Sequence, residues 1–513
     1  MFPFLRSGRN KALTLAAACL LTTFGCESPR EVNTPAPDGA ARLAGPLTFW
    51  ALTDGNQLLQ IRSDNPSAAM MTVNVTGLMS GDRLMAIDFR PATGQLYGVS
   101  SQSRVYMINP MTGVARMVGS GPVSPTINGD AVGLDFNPTV DRLRLITNAG
   151  QNLRLNPETG AVQAVDGAIN GAPNASLSGT AYTNNFAGAT STTQYTIDPV
   201  SDKLFIQNPP NNGTQIEVGG LGVDIVGTSG FDISPTGEAI AALGRTGSVS
   251  ELYEINLSSG QATKLGDFPG QSIIGLAIPT SPVAYAVDGL NRLMTFNPLS
   301  PGTPIMRMLT GLQMGEMLVG IDFRPANGQL YGISNMSRMY TINTANGAAT
   351  AVGGAFSPML MSADVGMDFN PTVDRIRVVT ATGQNLRLNP DTGALVAVDG
   401  NLNPGMPNVT ATAYTNNFAG ATTTTMINID SNTDRLVRQD PPNAGGQVDI
   451  GPLGLNVEGA NGFDIGGTSN VGYALLRQGV MSGVYRIDLS TGAATSVATF
   501  PMPIQAMAVG LGF

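Results

Sequence analysis

The most informative absence in the sequence is histidine, since none of the 513 residues is a histidine. This removes the commonest general base, the usual zinc or copper ligand, and every Ser-His or Cys-His nucleophile pair. Cysteine is nearly absent as well, and its two copies, Cys19 and Cys26, both lie near the N-terminus. The body of the chain therefore has no disulfide, no thiol nucleophile and no thiolate metal site.

Charge and tryptophan are also scarce. Charged residues make up 12% of the chain, about half of the usual share, and the formal net charge is −9. Because no basic stripe offsets the acids, nucleic acid is not an expected partner. Trp50 is the only tryptophan, so the chain lacks the aromatic platform that carbohydrate-binding proteins often use.

The N-terminus has the features of an export signal. Residues 1–26 read "MFPFLRSGRNKALTLAAACLLTTFGC", a basic start followed by an apolar run that is too short to span a bilayer. We expect a signal peptide over 1–25. The segment that ends at Cys26 resembles a bacterial lipoprotein signal, which implies a lipid on that cysteine; an ordinary cleaved signal is the alternative. Residues 26–45, rich in Pro, Ala, Gly and Asn, predict a flexible tether.

These features predict where the protein resides. An N-terminal lipid would anchor the chain to a membrane without spanning it. We therefore expect an exported lipoprotein held at the outer membrane or the cell surface, or otherwise a periplasmic or secreted protein.

Turn-forming residues are abundant, with 63 glycines and 34 prolines, and apolar residues make up 42% of the chain. This combination predicts an all-β fold of many short strands. Long segments also occur twice: "IDFRPATGQLYGVS" at 87–100 corresponds to "IDFRPANGQLYGIS" at 321–334, and "AYTNNFAGAT" at 181–190 recurs unchanged at 413–422. The duplication predicts two tandem domains, 46–279 and 280–513.

A shorter period lies within each half. Apolar segments such as "AIDFRP", "GLDFNP" and "GFDISP" recur at intervals of 45 to 50 residues. Each interval has room for four strands joined by turns such as "NPETG", and a period in the mid-forties with strand-like content is typical of propeller blades. The sequence therefore predicts a β-propeller built from four-stranded antiparallel blades.

The ends of each half suggest how the blades would close. Each half begins without the first strand of its first unit and ends with an additional strand, "SIIGLAI" or "MAVGLGF". Pairing of that strand with the first unit would remove the exposed sheet edge. We therefore expect two tandem five-bladed propellers. One ten-bladed propeller is the alternative, because the spacing across the middle of the chain is like the spacing elsewhere.

The motifs "GxDFNPTVDRLR", "GQNLRLNPxTG" and "AYTNNFAGAT" resemble the bacterial family catalogued as domain of unknown function 4394. The likeness covers both halves, roughly residues 46–513. It implies exported proteins, often lipoproteins, with a propeller-like β fold. It implies no activity and no catalytic residues.

One acidic position recurs from unit to unit. It is occupied by Asp88, Asp135 and Asp232 in the first half and by Asp322, Asp368 and Asp464 in the second. The first strand of each blade lies nearest the axis of a propeller, so these carboxylates would converge and recruit a hard cation, with calcium as the candidate. Alternatively, each Asp ends its strand and accepts hydrogen bonds from turn amides.

A second group of residues is suited to binding an organic ligand. Two arginines spaced two apart share a strand face and could bind a carboxylate or sugar acid, and Asn-rich loops suit sugar or peptide hydrogen bonding. The alternatives are surface ion pairs and a hydrogen-bond network that shapes the loop. The group comprises Arg142, Arg144, Arg375, Arg377, Tyr182, Asn184, Asn185, Tyr414, Asn416 and Asn417.

The sequence thus favours a non-catalytic ligand-binding or scaffold module of the bacterial cell envelope. Its partners would be the membrane, through the lipid, and a glycan, peptide or protein ligand. One alternative is a calcium-dependent hydrolase that uses the axial aspartates, because carboxylates can hydrolyse glycosides without histidine. The other is a structural spacer without a ligand.

Overall fold

A computed structural model describes residues 43–246 and 249–513 of the chain. The predicted signal peptide, Cys26 and nearly all of the predicted tether lie outside the described residues. The described ranges form an all-β protein whose only helical elements are two 3-10 turns, Pro210–Asn212 and Pro442–Ala444. None of their helices is long and apolar enough to cross a membrane.

Forty strands form ten four-stranded antiparallel sheets in the described ranges. The first twenty strands are β1 (Thr48–Thr53), β2 (Gln57–Arg62), β3 (Met71–Asn74), β4 (Leu84–Phe89), β5 (Leu96–Ser100), β6 (Val105–Ile108), β7 (Ala115–Val118), β8 (Val132–Asn137), β9 (Arg142–Thr147), β10 (Asn152–Leu155), β11 (Val162–Val165), β12 (Gly179–Tyr182), β13 (Gln194–Asp198), β14 (Lys203–Gln207), β15 (Gln215–Gly220), β16 (Ser229–Ile233), β17 (Ala239–Leu243), β18 (Glu251–Ile255), β19 (Ala262–Asp267) and β20 (Ile273–Ala277).

The second half repeats this pattern. Its strands are β21 (Ala284–Val287), β22 (Arg292–Phe296), β23 (Ile305–Met308), β24 (Leu318–Arg324), β25 (Gln329–Ser334), β26 (Met339–Ile342), β27 (Ala349–Val352), β28 (Val365–Asn370), β29 (Arg375–Thr380), β30 (Asn385–Leu388), β31 (Leu395–Val398), β32 (Val409–Tyr414), β33 (Met426–Asp430), β34 (Arg435–Gln439), β35 (Gln447–Pro452), β36 (Gly462–Ile465), β37 (Gly472–Gln478), β38 (Met481–Ile487), β39 (Ala494–Phe500) and β40 (Ala506–Val509). The prediction of two tandem domains built from four-stranded antiparallel units is confirmed.

The turns between strands explain much of the glycine content. In the "NPETG" turn the Asn156 side chain accepts a hydrogen bond from the Glu158 amide at 2.8 Å. Gly160 then takes a positive φ of 67°. A Cβ at this glycine would lie 2.4 Å from the backbone oxygen of Val118 in the neighbouring sheet. Glycine is therefore required by both its backbone conformation and the close approach of the next sheet.

Eight of the ten sheets follow chain order, and the first sheet of each half is the exception. Its order is β20-β1-β2-β3 in the first half and β40-β21-β22-β23 in the second. Trp50 in β1 lies opposite Ala277, and Tyr285 in β21 lies opposite Ala508. The last strand of each half thus pairs with the first sheet of the same half.

The first strands of the sheets are neighbours in space. Strand β4 contacts β8, β8 contacts β12, β12 contacts β16, β16 contacts β20, and β20 contacts β4. The second half repeats this cycle with β24, β28, β32, β36 and β40. Small residues make these contacts possible, since a Cβ at Gly133 would lie 2.9 Å from the Thr180 amide nitrogen.

The hydrophobic core lies between neighbouring sheets. In the first half Tyr97 of β5 contacts Phe136 of β8 edge to face, with ring centroids 5.3 Å apart. Tyr331 and Phe369 repeat this contact at 5.2 Å in the second half. Such aromatic pairs add specific geometry to the burial of apolar surface, which fixes how each sheet packs on the next.

The two halves also contact each other directly. The Arg90 guanidinium donates a hydrogen bond to the Gly328 carbonyl at 3.0 Å. The Tyr285 hydroxyl donates to the Ala92 carbonyl at 3.0 Å. The Gly512 amide donates to the Thr93 carbonyl at 2.8 Å. Each bond crosses from one half to the other, so the loop at 90–94 is part of the interface.

Candidate functional site

The recurrent aspartates come together as two buried groups, which we name the first and second Asp triads. The first triad is Asp88, Asp135 and Asp232, and the second is Asp322, Asp368 and Asp464. Within each triad one carboxylate oxygen from every residue lies within 4.8 Å of the other two. All six residues are at most 1% exposed. The strands that carry them are the first strands of their sheets, which explains the convergence.

Some oxygens of the first triad accept hydrogen bonds from backbone amides. Asp88 Oδ2 accepts from the Phe136 amide at 2.7 Å. The two oxygens of Asp232 accept from the amides of Ile233 and Ile278, both at 2.6 Å. Phe136 lies in the next first strand around the cycle and Ile278 directly follows one, so these two bonds link neighbouring sheets. The bond from the Ile233 amide is local to Asp232.

Other oxygens of the triads have no partner. Neither oxygen of Asp135 makes a hydrogen bond within the described part of the chain, and Asp88 Oδ1 has none either. The Tyr182 amide faces Asp135 but does not reach hydrogen-bond geometry with it. Asp368 Oδ1 in the second triad is likewise unpartnered. Buried polar atoms without partners are rare in proteins and indicate a missing proton, water or ion.

Burial raises the pKa of every triad carboxyl above its usual range, because the charged form loses its hydration. It raises the pKa of Asp232 and of Asp464 to about 7, against the lowering effect of their amide hydrogen bonds. Burial also raises the pKa of Asp135 well above its usual range, and the like charges of Asp88 and Asp232 add to this effect. Each triad therefore requires protons or a cation at neutral pH.

The inner arginine of the "PTVDRLR" motif lies in a buried polar network. Arg144 is 1% exposed. Its guanidinium donates to Asn152 at 2.8 Å, Asp166 at 2.5 Å, Asn211 at 2.7 Å and the Tyr182 hydroxyl at 3.2 Å. Four of its five N–H groups are thus engaged by the protein itself.

The second half repeats the network around Arg377. This guanidinium donates to Asn385 at 2.8 Å, Asp399 at 2.5 Å, Asn443 at 2.7 Å and the Tyr414 hydroxyl at 3.4 Å. Tyr182 and Tyr414 therefore direct their hydroxyls to the arginines. Each tyrosine lies in the first strand of its sheet, at the position that an aspartate occupies in the sheets before and after it, but its hydroxyl does not join the carboxylates.

The outer arginines of the motif lie nearer the surface. Arg142 donates to the Asp141 carbonyl at 2.7 Å and also contacts Gln163. Arg375 donates to the Asp374 carbonyl at 2.7 Å. Neither the inner nor the outer arginines point to a shared open pocket, and their predicted role in binding an anion stays a prediction.

The repeated decamer forms a loop whose asparagines have two different roles. Asn184 takes a positive φ of 56°, and its side chain donates to the Ser191 carbonyl at 2.9 Å. Asn416 makes the same bond to Thr423 at 2.9 Å. Asn185 and Asn417 are fully buried, and neither the nitrogen nor the oxygen of their side-chain amides has a partner in the described ranges.

The small residues that follow these asparagines cross to the other half. Ala187 packs against a core cluster of the second half, and Ala419 packs against a core cluster of the first. Gly188 lies against Ile305, where an added Cβ would be 2.7 Å away. The "FAGAT" part of the decamer is thus an interface element. In the sequence, the exact repetition of the decamer at 181–190 and 413–422 is the signal of this interface role.

A cleft of about 380 Å³ lies where the second of these loops meets the first half. Leu96 and Met107 line one wall, and Phe418 and Leu511 line the other. Arg116 also lines the cleft; its side chain is exposed and makes no hydrogen bond or ion pair with any described residue. Arg116 was not predicted from the sequence, because Phe418 and the other cleft residues of the second half are more than 300 residues away in the chain.

The corresponding loop of the first half forms no comparable cleft. There Arg307 donates to the Gly188 carbonyl at 3.3 Å. The cavity next to Ala187 and Gly188 is only about 10 Å³. Two nearly identical loops therefore have different surroundings in the described part of the chain: the second borders a cleft of about 380 Å³ and the first a cavity of about 10 Å³.

A family described as "Domain of unknown function (DUF4394)" matches the chain twice, at residues 57–277 and 292–510. The two matches coincide with the two sets of five sheets. No curated protein matches the chain.

Proposed function

The chain belongs to the DUF4394 family in both of its halves, and since that domain has no known function, we propose one from the geometry of this protein. We propose a non-catalytic ligand-binding module of the bacterial cell envelope. The cleft between the halves, with its apolar walls and its unpaired arginine, is the observation that carries the proposal.

In this proposal each half is a five-bladed β-propeller. The pairing of β20 with β1 and of β40 with β21 supports it, as do the two cycles of contacts among the first strands. In one ten-bladed ring, by contrast, β40 would pair with β1. Two rings in contact would form the cleft between them, lined by strands β5 and β6 of the first half and by the loop of the second half that carries Phe418.

The proposed location is the outer membrane or the cell surface. A lipid on Cys26 anchors the chain there, and residues 27–45 separate the anchor from the first strand. This part of the proposal is supported by the residues that precede Cys26 in the sequence. Metabolic labelling with a radioactive fatty acid would test it, since Cys26→Ser should abolish the label and Cys19→Ser should retain it.

The ligand we propose is a peptide, or an extended segment of a protein, with an apolar side chain next to a carboxylate. A space of about 380 Å³ lined by Leu96, Met107, Phe418 and Leu511 accepts an apolar side chain. Arg116 at the same cleft would bind the carboxylate by charge-assisted hydrogen bonds. A glycan fits less well, since it would leave hydroxyl groups against apolar walls.

The burial of the Asp triads favours binding over hydrolysis. A hydrolase that used these carboxylates would need the substrate to reach them. All six are at most 1% exposed, and the cavities between the first strands are about 10 Å³ in each half. Such a cavity holds one water molecule and no substrate.

Peptide arrays and three variants test the proposed ligand site. Peptides with one apolar and one acidic residue should bind the purified protein with measurable fluorescence anisotropy. Arg116→Gln should weaken that binding about tenfold or more through loss of the charged pair, and Val114→Trp should abolish it by filling the cleft. Arg307→Gln is the matched control, since it lies against the equivalent loop without a cleft, and should bind like the wild type.

Three outcomes would contradict this proposal. Equal binding by the wild type and Val114→Trp would place the ligand elsewhere. Binding to a glycan array but to no peptide would show that the ligand is a glycan instead of a peptide. A failure of both arrays would favour the ligand-free spacer.

A further inference from the structure

We propose that each Asp triad binds one hard divalent cation, with calcium as the best fit, so that the folded protein holds two structural cations. This inference goes beyond the proposed binding function and concerns a different part of each half. It would make the cation part of the contact between the first strands.

The distances within each triad fit a shared cation. Three oxygens that lie within 4.8 Å of one another place a central ion at about 2.8 Å or less from each, so a small inward shift of the carboxylates reaches the roughly 2.3–2.6 Å of calcium–oxygen bonds. Asp135 offers two unpartnered oxygens and Asp88 offers one. These atoms are buried, so water does not replace the missing partners from bulk solvent.

The charge of each triad is not balanced by the protein. Among the described residues, no lysine or arginine forms an ion pair with any of the six aspartates. The nearest large network, around Arg144, uses its donors on other acceptors. Because an unpaired buried charge is costly, three carboxylates at one point require compensating positive charge.

The repetition of the arrangement is a further argument. The second triad keeps the same convergence, and one of its oxygens, Asp368 Oδ1, is unpartnered, as is the same atom of the equivalent Asp135. A small cavity lies near Gly133 in the first half and near Gly366 in the second, each about 10 Å³. Each of these glycines is two residues before a triad aspartate on the same strand face, and each cavity is large enough for one water molecule.

The competing arrangement is a shared proton. If Asp135 were protonated, its protonated oxygen could donate to Asp88 Oδ1, which would satisfy two of the three unpartnered oxygens without a metal and leave the other oxygen of Asp135 without a partner. The two arrangements respond differently to an asparagine. Asn at 135 mimics a neutral carboxyl and would be tolerated in the proton-sharing triad, whereas it removes a charged ligand from a cation site.

The full chain should be tested by refolding, because a fully buried ion exchanges slowly through the folded protein. The protein is unfolded in guanidinium chloride with EDTA, then refolded at constant pH in metal-free buffer alone or with calcium or magnesium. Metal content is measured by mass spectrometry after gel filtration. We expect two calcium ions per chain and a melting temperature about 5 °C or more above that of the metal-free protein.

Because the triad occurs twice in the chain, the number of ions that each variant retains shows which triad binds them. Asp135→Asn and Asp368→Asn should each retain one ion, and the double variant none. Asp54→Asn, an exposed aspartate outside both triads, should retain two.

The proposal is overturned if wild-type protein refolded in 1 mM calcium or magnesium holds no metal and melts as it does in metal-free buffer. It is also overturned if Asp135→Asn still holds two ions. Should Asp135→Asn fail to fold, the wild-type stoichiometry and the Asp368→Asn count still decide the question. If the wild type holds no metal and both single variants melt at the same temperature as the wild type, the result supports the shared proton instead.

Discussion

Replacement of Arg144 by methionine should destabilise the first half by about 1–3 kcal/mol. Methionine keeps the apolar stem but removes the guanidinium that donates to Asn152 and Asn211. The loss comes mainly from the oxygen of the buried Asn152, which is left without a donor, since Asn211 is exposed and can bind water instead. Asp166 is less affected, because Arg154 still donates to both of its oxygens at 2.7 and 2.9 Å. The expected loss is therefore that of one partner from a buried network.

Urea unfolding measures this loss, and the sequence provides a local probe. Trp50 is the only tryptophan and is 2% exposed in the first half, so its fluorescence follows that half, while circular dichroism follows both. Arg144→Met should lower the midpoint seen by fluorescence. Arg377→Met removes the equivalent network of the second half and should lower a transition seen mainly by circular dichroism.

The controls are the partially exposed arginine of the same motif and the double variant. Arg142→Met should cost less than about 1 kcal/mol, as for other surface interactions. Arg144→Met and Arg377→Met together should be nearly additive, because the two networks share no partner. A cost below about 1 kcal/mol for Arg144→Met would refute the reasoning, because the buried network would then not stabilise the fold.

Three further predictions concern the interface and the pH dependence of stability. Arg90→Met should lower the free energy of unfolding by about 3–5 kcal/mol, because Arg90 is buried among its partners. Arg324→Met should lower it by less than about 1 kcal/mol, because the carboxylates that pair with Arg324 are 36% and 64% exposed. Thermal or urea unfolding measures both losses. Burial alone would raise the pKa of Asp399, but hydrogen bonds from two arginines outweigh it and hold that pKa below its usual value. The ionised carboxylate therefore stabilises the fold fully above about pH 4, and this stabilisation is lost as the pH falls further. In urea titrations the difference in stability between wild type and Asp399→Asn should accordingly disappear from about pH 5 to about pH 2. Gly512→Ala should lower the melting temperature and expose the interface to proteases, because its Cβ would lie 1.9 Å from a backbone oxygen of the first half. Gly121→Ala is the control and should behave as wild type, because a Cβ at that position meets no atom within 4 Å.

The repeating architecture could be predicted from the sequence because its determinants are local. Turns such as "NPETG" combine an asparagine that binds a nearby amide with a glycine of positive φ, and both are visible as letters. The recurrence of Asp88 and Asp135 marks the first strand of each unit. Period and turn chemistry together therefore predict the sheets, and the convergence of the acids follows from their equivalent positions.

The cleft and the arginine networks could not be predicted in the same way. Arg144 lies on an ordinary strand, and its burial results from Asp166 and Asn211, which are 22 and 67 residues away. Arg116 becomes a candidate binding residue only because Phe418 and its neighbours pack beside it. These contacts depend on how the sheets and the halves pack, and no local pattern encodes that packing.

The pairing of β20 with β1 has a consequence for biosynthesis. The first half has all of its strands once residue 277 has emerged, whereas β21 must wait for its partner at residues 506–509. At about 5–20 residues per second this leaves roughly 12–46 s in which one half is complete and the other has an open edge. Because β1 waits for β20 over a similar length of chain, a chaperone that shields open sheet edges would serve the two halves in turn.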